Sequence, residues 1–388
     1  MTTRVGIEAF GFYVPHLYLS LDTLAERQGS DPAKFSRGIG QEKIALPAHD
    51  EDVVTLGAEA ARPVIERCGT DGIDTLLFAT ESGVDQSKSA GIFAHALLGL
   101  PANCRNVELK QACYSATAAL QLACGHVMRK PRARVLIIAA DVARYDRGSS
   151  GEPTQGCGAV AMLVSAVPRI VEIEPVSGCY TEDIMDFWRP NYRRTPLVDG
   201  RFSALRYLHG LVRSWTDYQA GGGRPYGEFA QFCYHLPFSR MAEKGHGHLA
   251  RQAGAEADMT RCRPGMVYSR QVGNCYAASL YLALISALEN TRDDLAGRPV
   301  GLFSYGSGAV SEFFSAIVQP GYRDNLPADR HRKLLRARTE VTYETYLDLR
   351  DIPDPQDGGT ALIRPAARGR YRLEKIDDHK RHYVDTGR

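Results

Sequence analysis

The chain has 388 residues, more than one small core organises, so two domains or one duplicated unit is expected. Lys and Arg number 47 against 45 Asp and Glu, a net charge of +2, which excludes a global basic field for nucleic acid and an acidic tail. Hydrophobic residues are 44% and charged residues 24%, an ordinary globular balance, and no run is long and apolar enough to span a bilayer.

The N-terminus, MTTRVGIEAFGFYVP, begins like a strand, its apolar stretch interrupted by Glu8 and Pro15, and not like a signal peptide. A helical pattern covers 51–67. Short apolar runs read as buried strands at 75–80 (TLLFAT), 134–139 (RVLIIA), 160–164 (VAMLV) and 300–304 (VGLFS). A short strand at 107–109 runs into a helix over 116–129, and another helix is expected over 277–290. Strand–helix alternation over this length implies a layered α/β fold with covered sheets. Residues 180–230, rich in Tyr, Trp, Arg and Gly, read as a loop-rich elaboration on the core. Beyond Asp351 the sequence IPDPQDGG reads as a surface loop, and YRLEKIDDHKRHYV as a returning strand. The nine cysteines are an odd number without metal-ligand spacing, which suits free thiols in a reducing, cytoplasmic compartment and no bound metal.

There is an internal echo. Cys113 to Cys275 (CYSATAALQLA, CYAASLYLALI) is 162 residues, Gly156 to Gly306 (GCGAVA, GSGAVS) is 150, and Glu81 to His235 is 154. Matches in the same order at near-equal offset point to two copies of one unit. The boundary falls in 166–175, giving halves 1–168 and 169–388.

Four places carry chemistry. In VELKQACYSATAAL, Cys113 lies at a helix start, where unpaired N–H groups and the helix dipole favour a thiolate. A thioester-forming nucleophile and a cysteine packed in the core are equally open readings. Cys275 has nearly the same surroundings. In LLFATESGVD, Glu81 sits just past a strand, where carboxylates face ligand crevices, as a general acid/base or as a carboxylate steadying the next turn. In FCYHLPFSRMAEKGHGH, His235 ends a strand ahead of Pro237, either orienting a carbonyl or satisfied in the core; His246 and His248 are expected to be exposed. Arg240 and Lys244 share a helix face, for phosphate or for water. In SYGSGAVSEFF, the glycines around Ser307 allow close backbone approach, but this is neither a P-loop nor a dinucleotide fingerprint.

The set ATESGVDQSK, KQACYSATAALQLA, GEPTQGCGAVAM, YTEDIMDFWRP, CYHLPFSRM, QVGNCYAASLYL and LFSYGSGAVSEFF resembles the bacterial 3-hydroxy-3-methylglutaryl-CoA (HMG-CoA) synthases of the mevalonate pathway, in the thiolase superfamily. The resemblance runs from about Val5 to the C-terminus. It implies a thiolase-like fold of two similar halves in five α/β/α/β/α layers. It implies an acyltransferase that condenses acetyl-CoA with acetoacetyl-CoA and water, with Cys113 acetylated, Glu81 as general acid/base and His235 positioning acetoacetyl-CoA. It implies that Tyr145, Thr154, Ser203, Asn274 and Ser307 hold the acyl chain and its oxygens, and that Lys244, Asp31 and Pro32 lie near the CoA. No cofactor or metal is implied, since CoA thioesters are the substrates, and a homodimer is. Arg240 and Cys157 depart from the residues common in relatives. Three rivals remain: a β-branching synthase of polyketide biosynthesis acting on an acyl carrier protein, a ketoacyl synthase or thiolase, and a non-catalytic CoA-binding homologue. The ketoacyl synthase or thiolase predicts a different set, a Cys with two His, or with His and Asn, and another Cys as base, and the Glu81 motif argues against it.

Overall fold

The computed structural model describes residues 4–350 and 357–387. Residues 351–356, which carry most of the expected C-terminal loop, lie outside them.

One mixed sheet runs through the molecule. Its strands are β1 (Gly6–Tyr13), β2 (Ile73–Ala79), β3 (Arg105–Leu109), β4 (Arg134–Ala143), β5 (Gly156–Ser165), β6 (Val171–Thr181), β7 (Gln231–Tyr234), β8 (Pro299–Gly306) and β9 (Val310–Val318). The order is β7-β8-β9-β6-β1-β5-β4-β2-β3. Among the described residues, the strands of the two halves pair with each other within this sheet only at Gly6 and Ile7, opposite Glu172 and Val171.

The pairing pattern repeats. In the first half β1 is antiparallel to β5, β5 antiparallel to β4, and β4 parallel to β2. In the second half β6 is antiparallel to β9, β9 antiparallel to β8, and β8 parallel to β7. Helices repeat too. Helix α1 (Val53–Cys68) covers the outer face of the first half, and α2 (Ser115–Arg129) its inner face. Helix α3 (Gly200–Ala220) covers the outer face of the second half, and α5 (Ser279–Asn290), after α4 (Met241–Gln252), its inner face. Side chains of α2 meet the other half directly: Thr117 shares hydrogen bonds with Tyr281 at 2.9 Å and Ser304 at 2.8 Å. The result is helix, sheet, helices, sheet, helix.

Local sequence accounts for these elements. Asp52 caps α1, accepting from the Val54 and Thr55 amides while Thr55 closes a capping box, a contribution of about 1 kcal/mol. Strand β5 is buried along its whole length because both faces are covered, and it is made of small and apolar residues.

Three expectations need correction. Residues 180–230 hold α3, the 21-residue counterpart of α1, and not only loops. Its buried positions Tyr207, Gly210, Leu211, Ser214, Trp215 and Tyr218 follow helical spacing, but the aromatic and Arg content masked the period. The last segment is two strands, Tyr371–Asp377 and Lys380–Asp385, because Asp378 and His379 both take positive φ (49° and 61°) and turn the chain back. His246 is buried, bonded to Tyr226, Tyr234 and the Asp258 carbonyl, and His248 is half-buried.

Candidate active site

A cavity of about 400 Å³ opens between the halves. Seven residues singled out in the sequence border it: Cys113, Tyr145, Thr154, Ser203, His235, Asn274 and Ser307.

Cys113 precedes α2 in a tight turn. Ala112 takes a positive φ of 42°, which an L-residue rarely adopts. The Cys113 thiol donates to Glu81 Oε1 at 3.2 Å. Glu81 lies two residues beyond the end of β2 at Ala79. Burial is the main cause that lifts its carboxyl above the ordinary range, and the nearby Asp141 carboxylate adds to it. Burial and the facing Glu81 also hold the Cys113 thiol well above the usual value. The helix start that favours a thiolate is therefore opposed by burial and by the facing Glu81.

Asp141, on β4, is fully buried and was not anticipated. Its Oδ1 accepts from Thr80 Oγ1, the Glu81 amide and Ser82 Oγ at 2.8, 2.9 and 2.7 Å; its Oδ2 accepts from the Ala277 amide at 3.0 Å. It thus fixes Glu81 against the start of the second half's inner helix. An aspartate inside the run RVLIIAADVA was the available signal.

His235 follows β7 directly, at the position matching Glu81 in the first half. Its Nδ1 is buried without a partner, and burial lowers its pKa to about 3, so the ring is neutral. Asn274 uses its carbonyl oxygen internally, accepting from the Tyr276 amide at 2.8 Å and Ser279 Oγ at 2.9 Å. Its NH2 remains for a ligand. Ser203 Oγ donates to Asp186 at 2.9 Å, and the same buried carboxylate accepts from Tyr305 at 2.8 Å and the Gly308 amide at 2.9 Å. Asp186 lay within the quoted motif YTEDIMDFWRP but was not singled out. Tyr207, Tyr276, Tyr305 and Phe187 complete the apolar lining and were missed as well.

Four anticipated residues do not border the cavity: Glu81, which reaches it through its bond to Cys113, and Lys244, Asp31 and Pro32. Lys244 is exposed, its Nζ 5.0 Å from the ring of Phe238, which does border it, so the cation stands at the mouth. Asp31 and Pro32 are exposed, on the segment that brings Ile39 to the cavity. Arg240 is exposed and tied to that segment through the Ile39 and Arg37 carbonyls. Cys157 is buried in β5.

Comparison with known proteins decides the family. Residues 1–168 match the model "Hydroxymethylglutaryl-coenzyme A synthase N terminal", and residues 250–384 match its C-terminal counterpart. The chain belongs to the hydroxymethylglutaryl-CoA synthase family. It is 41% identical over 345 residues to the hydroxymethylglutaryl-CoA synthase of Enterococcus faecalis, covering 88% of this chain and 90% of that one. It is 36% identical over 367 residues to the polyketide-biosynthesis 3-hydroxy-3-methylglutaryl-ACP synthase of Bacillus subtilis, covering 88% and 86%. A solved HMG-CoA synthase complexed with CoA superposes with a TM-score of 0.94 at 39% identity, covering 98% of this chain and 100% of that one. The chain is an HMG-CoA synthase-type acyltransferase with the thiolase-like fold expected from its motifs.

Proposed function

We propose that acetyl-CoA acylates Cys113 and that the acetyl group then condenses in this cavity with acetoacetyl-CoA. The observation that carries the reading is the 3.2 Å contact from the thiol of Cys113, which lines the cavity, to Glu81 behind it. Glu81, its pKa raised toward working pH, takes the thiol proton. The thiolate attacks the acetyl carbonyl, the carbon–sulfur bond to CoA breaks, and CoA leaves with a proton. Glu81 next removes a methyl proton from the acetyl-enzyme. The enolate carbon adds to the ketone of acetoacetyl-CoA, and the neutral His235 ring donates to the developing oxyanion. Water then hydrolyses the thioester to release HMG-CoA.

The phosphate end of CoA would meet Lys244 and Arg201 at the mouth. No cofactor is required by these steps. A place in the mevalonate pathway, a cytoplasmic location and a homodimer belong to the same proposal. All nine cysteines are unpaired, which suits a reducing compartment, and no helix of the described residues is long and apolar enough to cross a membrane. Edge strand β3, with Val107 43% exposed, offers a surface for pairing.

Intact-protein mass after brief exposure to acetyl-CoA tests the proposal. Wild type and Cys275→Ala are expected to gain one acetyl group, and Cys113→Ala none. Acetylation of Cys113→Ala, or none in wild type, would sink it; acylation by an acetylated carrier protein alone would favour the polyketide-type reading.

A further inference from the structure

Residues 145–155 form one wall of the cavity, contributing Tyr145, Ser150, Gly151 and Thr154. Apart from the short turn Glu152–Thr154 this wall is loop, so its position depends on what holds it from behind. Glu152 does not border the cavity. It is 1% exposed, and four donors converge on its carboxylate. Oε2 accepts from Gln28 Nε2 at 2.9 Å and from the Gly148 amide at 2.7 Å. Oε1 accepts from the Tyr346 hydroxyl at 2.7 Å, with Arg350 Nη1 at 3.4 Å.

The donors come from three stretches of chain. Gly148 is in the wall. Gln28 ends the helix Leu21–Arg27 and leads into the mouth segment that carries Asp31, Pro32 and Ile39. Tyr346 and Arg350 lie on the helix Tyr343–Arg350. That helix grips the wall a second time: Arg350 Nη2 donates to the Tyr145 carbonyl at 2.6 Å, and Tyr346 accepts from Gln155 Nε2 at 2.9 Å. Gln155 in turn accepts from the Tyr145 amide at 2.8 Å. A buried carboxylate is a costly way to gain stability alone, but several convergent charge-assisted bonds fix geometry well.

We infer that Glu152 is a positioning residue for thioester binding, clamping the Tyr145–Thr154 wall to the mouth segment and to the helix Tyr343–Arg350. It touches no reacting atom. The inference rests on the cavity being the thioester site. Loss of the clamp loosens both walls between which the substrate is held, so it weakens binding and leaves the Cys113–Glu81 pair in place.

The test measures Cys113 acetylation by mass against acetyl-CoA concentration, together with the thermal midpoint, for wild type, Glu152→Ala, Gln28→Leu and Tyr346→Phe. Glu152→Ala is expected to raise the half-saturating concentration about tenfold while the saturating rate stays within about threefold. Gln28→Leu and Tyr346→Phe remove one arm each and are expected to raise it about threefold. Should Glu152→Ala fail to fold, Gln28→Leu, at a half-buried position, carries the test alone. Unchanged half-saturation in the arm variants, or a fall in thermal midpoint as the sole effect, overturns the inference. Failure of wild type to acetylate would instead overturn the proposed function.

Discussion

The two corners at which the inner helices begin share a frame and differ in access. Cys113 faces the cavity and Glu81; Cys275 is 1% exposed, its sulfur 3.9 Å from the Gly273 carbonyl. The cause lies upstream. In the first half a strand, β3, feeds the corner. Among the described residues the second half has no counterpart, and short helical turns end at Gly273 instead. Gly273, at φ 88°, lies so close to the Gln155 carbonyl that a Cβ there would sit 1.9 Å from the oxygen. That contact seals the second corner and turns Asn274, not Cys275, to the cavity. The strand-end positions diverged likewise, to Glu81 in one half and His235 in the other. Duplication set the positions, and burial decided which chemistry each could carry.

The comparison breaks most visibly at Glu81. Because the Cys113 thiol donates to Glu81, Glu81→Gln is expected to slow both acetylation and condensation by about 10³. The raised Glu81 pKa adds a sign. The base is the ionised carboxylate, so wild-type activity falls as pH drops through a pKa above the ordinary carboxylate range, and this acid limb vanishes in Glu81→Gln. The same raised pKa means that Glu81 favours the folded state at low pH and loses that contribution as pH rises through its folded value. A pH–rate profile whose acid limb stays near the ordinary carboxylate range would contradict the assignment.

His235 sharpens the division between the halves. Its Nδ1 has no hydrogen-bond partner and its ring is neutral, so His235→Ala should leave Cys113 acetylation within about threefold while condensation falls about 10². Single-turnover acetylation and steady-state turnover, measured side by side, separate the two steps. An equal loss in both would mean that the halves do not split the chemistry in this way.

Much of the frame was legible in the sequence. The apolar runs at 134–139, 160–164 and 300–304 lie within strands and the run at 75–80 overruns its strand only by Thr80, and the echoes at Cys113 and Gly156 fall at matching topological points. What stayed hidden depends on contacts between distant residues. Asp141 and Glu152 are functional only through the donors that folding brings to them. Helix α3 was masked because its inward face is built of Tyr and Trp. The upward pull on the Cys113 pKa was not legible because local sequence contains the helix start but neither the burial nor the facing Glu81.

The smallest expected effect concerns the backbone of the corners. Ala112 at φ 42° and Tyr276 at φ 41° are non-glycine residues in the left-handed region, one beside each cysteine. Such a conformation costs on the order of 1 kcal/mol, which the surrounding packing must hold in place. Glycine adopts it freely but carries more unfolded-chain entropy, so the two terms partly cancel. Ala112→Gly is therefore expected to stabilise the chain by only about 0.5 kcal/mol in denaturant unfolding. Tyr276→Gly should instead destabilise by about 3 kcal/mol, because Tyr276 is buried against Tyr145 and Phe187 and its removal leaves a void in the cavity wall. If both substitutions shifted stability alike, backbone strain rather than side-chain packing would govern both corners, and the asymmetry between them would need another cause.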